Sequence, residues 1–136
     1  MKSITSAITS VGGYVPETVL TNFDLEKMVD TNNEWIISRT GIKERRILKD
    51  KSLGTSFMAI NAANKLLQEK DVDPTSIDLV IVSTATPDMP VSSTASFVAT
   101  EIGASNAFGY DIQGACSGFL FGMSAACAHI LSLIHI

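Results

Sequence analysis

From Ile112 to Ile136 the sequence contains no Asp, Glu, Lys or Arg. A stretch this apolar has to be covered, by the rest of a fold or by lipid, because a large apolar face left in water drives association. A terminus is normally solvated, so a chain that stops inside its least polar segment reads as one cut short. Gly114, Gly118 and Gly122 recur every four residues, the small-residue pattern that lets membrane helices approach closely. The run is also long enough to cross a bilayer. Against a membrane, Gln113, Cys116, Ser117, Ser124, His129, Ser132 and His135 dilute the apolarity, and no basic or aromatic flank marks an interface. A helix buried at the centre of a larger protein produces the same pattern. That is the reading adopted, with a small membrane-anchored or non-catalytic protein as its rival.

What precedes the run alternates between strand and helix signals. Ile4 to Val15 reads as a strand entering a Gly12-Gly13 and Pro16 turn. Thr21-Asn22 caps a short helix that carries Leu25, Met28 and Val29. Thr31, Asn32 and Asn33 cap a second, with Trp35, Ile36 and Ile37, stopped by Gly41. Ile42 to Leu48 is a weak strand or a loop. Leu53, Phe57, Ile60, Ala63 and Leu67 return at three and four residues, which predicts an amphipathic helix from about Ser52 to Glu69. Asp78 to Thr84 is a continuous β-branched run, suited to a parallel strand covered on both faces. Thr86 to Pro90 is a loop, Ser92 or Ser93 caps a helix closed by Gly103, Ala107 to Ile112 is a strand, and Cys116 to about Ile130 a helix. This alternation predicts an α/β layered architecture. With 136 residues, 46% of them hydrophobic and 18% charged, the chain suits one globular domain. A net charge of −4 argues against a nucleic-acid footprint spread over the surface. Two cysteines make no disulfide framework and suit a reducing cytosol, and no apolar signal core opens the chain.

The stretch from Tyr110 to Phe119 carries the chemistry. A strand ends, small residues turn the chain sharply, and Cys116 stands where the next helix begins. Amides and the helix dipole at such a position stabilise a thiolate and lower a thiol pKa. The same amides could bind the oxyanion of a thioester under attack. Gly114, Ala115 and Gly118 leave room for a substrate near the sulfur. Such a nucleophile needs no metal. From these residues alone, a packing cysteine at a strand-helix junction fits equally well. Cys127, among Ala125, Ala126 and Ala128, reads as packing. His129 is thirteen residues from Cys116, about 20 Å along one helix, and is therefore no partner base; His135 lies farther still.

Asp30 to Arg46, reading DTNNEWIISRTGIKERR, closely resembles the signature of the β-ketoacyl-acyl-carrier-protein synthases of the third, chain-initiating kind. Gly12 to Pro16 with Thr21-Asn22 and Asp24-Leu25-Glu26, and the nucleophile segment Ala107 to Phe119, resemble the same family in the same order. The resemblance implies the N-terminal half of a thiolase-type layered α-β-α-β-α fold over residues 1–130, with 131–136 atypical and foreign in look. It implies acyl transfer from acyl-CoA to Cys116, then decarboxylative condensation with malonyl carrier protein, in a cytoplasmic homodimer that uses no cofactor, nucleic acid or membrane. Trp35 and Arg39 match residues that hold the CoA adenine, and Thr31 a neighbouring CoA contact. An indole and a guanidinium at i and i+4 can clasp a purine. Val91 falls near a side chain that seals the partner subunit's acyl pocket. Lys43, Arg45 and Arg46 could draw in phosphates or an acidic carrier protein. The family's histidine and asparagine that drive decarboxylation belong to a second half absent from this sequence. A related polyketide-type condensing enzyme would share all of these features.

Overall fold

The computed structural model describes residues 5–132. Ile4 and the end from 133 onward, including His135, lie outside the described residues, and with them most of the segment expected to be atypical. Two compact units emerge: Val15–Leu53, and Met1–Tyr14 together with Gly54–Ile136.

In the smaller unit, β1 (Thr18–Thr21) pairs antiparallel with β2 (Glu44–Ile47), Thr18 opposite Ile47 and Thr21 opposite Glu44. Thr21 ends β1 and starts α1 (Asn22–Glu26) through a capping box with Asp24, satisfying amides that a helix start leaves orphaned. The helix stops there, so Met28 and Val29 lie beyond it and are exposed. Helix α2 (Asn33–Thr40) is capped by the Asn32 side chain on the Trp35 amide at 2.8 Å and closed by Gly41 in the left-handed region. Only glycine reaches that conformation without a Cβ penalty. Asn22 is fully buried. Its Nδ2 donates to the Ile42 carbonyl at 2.8 Å and to Asn33 Oδ1 at 3.1 Å, and its Oδ1 accepts from Arg45 Nη2 at 2.8 Å. One amide side chain thus joins α1, α2 and β2.

In the larger unit, β3 (Leu79–Ser83) and β4 (Phe108–Ile112) are parallel, Leu79 opposite Phe108 and Ser83 opposite Ile112. Helix α4 (Thr94–Glu101) connects them, a β-α-β unit. The period of two along β3 sorts its side chains. Val80 and Val82 meet a core of Leu67, Val98, Ala99, Ile102 and Ala104, to which α3 (Thr55–Lys70) and α4 contribute. On the other side α5 (Gly118–Ser132) packs on β3, Gly118 against Ser83 and Gly122 against Ser83 and Ile81. Apolar burial stabilises in proportion to the area covered, and both faces of β3 gain from it, although its side chains stay only half-buried or exposed.

The strand expected at the N-terminus does not form over residues 5–15. A strand requires a ladder partner, and this segment is held by side chains instead. Ser6 Oγ donates to Cys127 Sγ at 3.1 Å, Tyr14 meets Phe57 edge-on at 5.7 Å, and Gly12 lies against Leu66.

Candidate active site

Strand β4 delivers the chain to Cys116, the residue expected to be the nucleophile. Ile112 is its last residue, Gln113 and Gly114 turn the chain, and a 3₁₀ turn, Ala115–Ser117, precedes α5. Ala115 has φ +42°, a left-handed conformation that costs a non-glycine residue roughly 1–2 kcal/mol. Such strain persists where surrounding structure enforces it, and it concentrates at functional sites. Cys116 follows directly and is exposed. It therefore sits in the turn, two residues before the α-helix starts, rather than at the helix start itself.

Two expectations about this turn change. The amides of Ser117 and Gly118 are engaged, donating to the Gly114 and Ala115 carbonyls. The Cys116 amide makes no hydrogen bond among the described residues, and is the turn's candidate donor to an oxyanion. Nor do the glycines chiefly make room for substrate. A Cβ at Gly114 would come within 2.6 Å of the Phe121 ring, and Gly118 is buried against Ser83, whose hydroxyl donates to its carbonyl at 2.8 Å.

Asp111, near the end of β4, locks the strand to α4. Its carboxylate accepts from the Thr94 and Ala95 amides, both at 2.8 Å, and from Ser93 Oγ at 3.1 Å. Burial acts to raise its pKa, but the bonds from the Ala95 and Thr94 amides and the Ser93 hydroxyl outweigh it and hold the carboxyl below its ordinary 3.8. In the sequence Asp111 gives one signal only, an acid inside an otherwise uncharged strand.

His129 is engaged elsewhere, its Nε2 3.1 Å from the Tyr110 hydroxyl and its ring edge-on to Phe108 at 5.6 Å. Cys127 is half-buried and takes the Ser6 hydroxyl, as a packing residue does. Beside β3 and α5 runs a groove of about 630 Å³ lined by Leu79, Ile81, Ser83, Phe119, Met123 and His129 among others, and Cys116 is not in its wall. Ala115–Ser132 is long and apolar enough to cross a membrane by length and composition, and little of it is buried. Phe119, Leu120 and Phe121 are exposed.

In the smaller unit, Thr31 and Trp35 line one concavity of about 220 Å³ with Asp30 and Asn32. Trp35 is 56% exposed, so its ring is not a core residue, and Arg39, also exposed, follows one turn later on α2. Arg45 and Arg46 are not loose cations. Arg45 bonds Asn22 Oδ1 and the Leu20 carbonyl, and Arg46 the Pro16 and Glu17 carbonyls. Both brace the β1–β2 arm, while Lys43 is exposed. Val91 is 97% exposed in the loop between β3 and α4.

No protein-family model matches the chain. Among known proteins, the chain is 52% identical over 135 residues to β-ketoacyl-[acyl-carrier-protein] synthase III of Phocaeicola vulgatus, covering 99% of this chain and 40% of that protein. Among solved structures, 3-oxoacyl-[acyl-carrier-protein] synthase III from Aquifex aeolicus superposes with a TM-score of 0.84 at 46% identity, over 90% of this chain and 39% of that one. The priming β-ketosynthase of the R1128 polyketide pathway gives 0.82 at 37% identity, over 88% and 35%. A parallel β-α-β unit running through a strained turn into an exposed cysteine is thus, in this chain, part of a thiolase-like condensing-enzyme fold. Over nearly its whole length the chain is similar to the β-ketoacyl-[acyl-carrier-protein] synthases III, and it spans about 40% of the length of the curated relatives it matches.

Proposed function

We propose that the chain is the nucleophile-bearing, N-terminal part (residues 1–130) of an initiating condensing enzyme of fatty acid synthesis. The observation that carries this is Cys116, exposed on a turn that a left-handed Ala115 holds open between β4 and α5. The Cys116 thiolate attacks the carbonyl of an acyl-CoA, the CoA thiol leaves, and the acyl group rests on sulfur as a thioester. Malonyl carrier protein then loses carbon dioxide. The resulting carbanion attacks the acyl carbonyl, forming the new carbon–carbon bond as Cys116 leaves as thiolate. The donors for the decarboxylation come from the part of the relatives' length that this chain does not span.

Trp35, Arg39 and Thr31 form the CoA contact: an exposed indole and a guanidinium in consecutive turns of α2, beside a concavity that Thr31 shares. Val91 reaches the acyl pocket of a second copy in a homodimer, and its near-complete exposure supports that role. The enzyme is soluble and cytoplasmic, with acyl-CoA and acyl carrier protein as substrates and no cofactor. Gly118 and Gly122, turned onto β3, favour a protein-covered α5 over a membrane span.

The test is release of labelled carbon dioxide from malonyl carrier protein in the presence of acyl-CoA. The full-length protein should release it and the 136-residue chain alone should not. Equal release from both would contradict the assignment of the decarboxylation donors to the rest of the protein. Similarity to a polyketide-priming synthase favours a second reading of the product; use of a polyketide carrier protein in preference to a fatty-acid one would select it.

A further inference from the structure

The loop from Thr84 to Ser93, between β3 and α4, is anchored along its length but not at its apex. Its first amide, Thr84, donates to the Ile112 carbonyl at 3.1 Å, and its last residue, Ser93, bonds Asp111. Midway, Thr55 Oγ1 donates to the Thr86 carbonyl at 2.7 Å. Asp88 then turns its carboxylate onto the start of α3, accepting from the Ser56 amide at 3.1 Å and from the Ser56 hydroxyl. Beyond Asp88 come Met89 and Val91, exposed to 49% and 97%.

The Asp88 carboxylate does a job that is usually local. Helix α3 has Gly54 at its N-cap, which offers no side-chain acceptor, although a helix start leaves amides to satisfy. A carboxylate suits that position by charge as well as by hydrogen bonding. Here it comes from 32 residues away. A Cβ at Gly54 would collide with it, so glycine at the cap is what admits the distant residue. A Ser or Asp at position 54 could cap α3 without touching the loop. The cap taken from Asp88 fixes the helix and the loop by the same bonds.

We propose that Asp88 is a positioning residue for substrate selection: by capping α3 through Ser56 it holds the Met89–Val91 apex in one place, and that fixed apex limits the size of the acyl primer. This rests on the reading of Val91 as an acyl-pocket residue. Asp88 touches no substrate and acts through the loop.

The experiment compares Asp88→Ala, Asp88→Asn and Val91→Phe in the full-length protein. It reads hydrogen–deuterium exchange over residues 86–92 and the ratio of kcat/KM for acetyl-CoA to that for hexanoyl-CoA. Asp88→Ala should speed exchange at least about tenfold, since it loses the charge-assisted hydrogen bonds from both the Ser56 amide and the Ser56 hydroxyl, and move the ratio roughly fivefold toward no preference. Asp88→Asn keeps an oxygen that can accept from the Ser56 amide and should recover most of both. Val91→Phe should raise the ratio without altering exchange. Unchanged exchange in Asp88→Ala would overturn the latch. Faster exchange with an unchanged ratio, while Val91→Phe shifts it, would overturn the positioning role and leave the Val91 reading standing. If neither variant moves the ratio, the Val91 reading itself falls, and the proposal with it.

Discussion

Gly122 lies so close to Ser83 that a Cβ there would come within 2.9 Å of the Ser83 hydroxyl oxygen. This contact gives the small-residue spacing of the apolar run its meaning. Gly118 and Gly122 share the helix face that meets β3, so the stripe seats α5 on a strand. Gly122→Val should therefore overpack the junction and destabilise the protein by about 1–3 kcal/mol. Gly13→Ala is the control, because nothing stands within 4 Å of its Cβ position. Chemical denaturation of both variants checks this; equal stability would mean that α5 does not depend on β3.

Asp111 should make stability depend on acidity in a defined window. Its folded pKa lies below the ordinary 3.8, so between those values the unfolded chain binds more protons than the folded one, and stability rises with pH there. The contribution is full above about pH 3.8 and is lost as pH falls through the lower, folded value. Asp111→Asn should cost about 1.5–3 kcal/mol at neutral pH, since an amide nitrogen then faces backbone donors. The gap between wild type and variant should narrow below pH 3.8. Asp24, Asp50 and Asp73 are also lowered, chiefly by hydrogen bonds from Thr21, Ser52 and Thr75. They are common to both proteins, so the difference isolates Asp111. Unfolding midpoints between pH 2.5 and 7 measure it, and a gap constant with pH would contradict the assignment.

Trp35→Ala and Arg39→Ala should each raise the KM for acyl-CoA several-fold, about 0.5–2 kcal/mol of stacking and charge. The KM for malonyl carrier protein should move less. Because both side chains are exposed on α2, neither change should unfold the protein, and circular dichroism provides that check. An unchanged acyl-CoA constant in both variants would remove the pair from the CoA site.

Local chemistry explains which parts of this structure could be read from the sequence. The caps at Thr21, Asn32 and Ser93 and the stops at Gly41 and Gly103 are short-range signals, and each appears where the residues place it. The two parallel strands were legible because a β-branched or apolar run bounded by turns has few alternatives. Strand β1 was not, since its four residues pair with β2 across a long stretch of chain. Asn22 looked like part of a helix cap, but its partners Arg45, Ile42 and Asn33 are distant in sequence. The Asp88–Ser56 and Asp111–α4 bonds were invisible for the same reason. Of the site, the turn at Cys116 was legible from the local run of small residues, which fitted a packing cysteine equally well, whereas the roles expected of Trp35, Arg39, Thr31 and Val91 came only through resemblance.

The central claim is that Cys116 accepts the acyl group, and the most direct measurement is peptide mapping by mass spectrometry after incubating the full-length protein with acetyl-CoA. Cys116 is exposed, whereas Cys127 is half-buried and bonded by Ser6 at 3.1 Å. The acetyl group should therefore appear on the peptide containing Cys116, at near one equivalent, and disappear in Cys116→Ala. Brief iodoacetamide treatment should label Cys116 first and block acetylation. Acetylation of Cys127 with Cys116 unmodified, or an adduct that survives Cys116→Ala, would contradict the account.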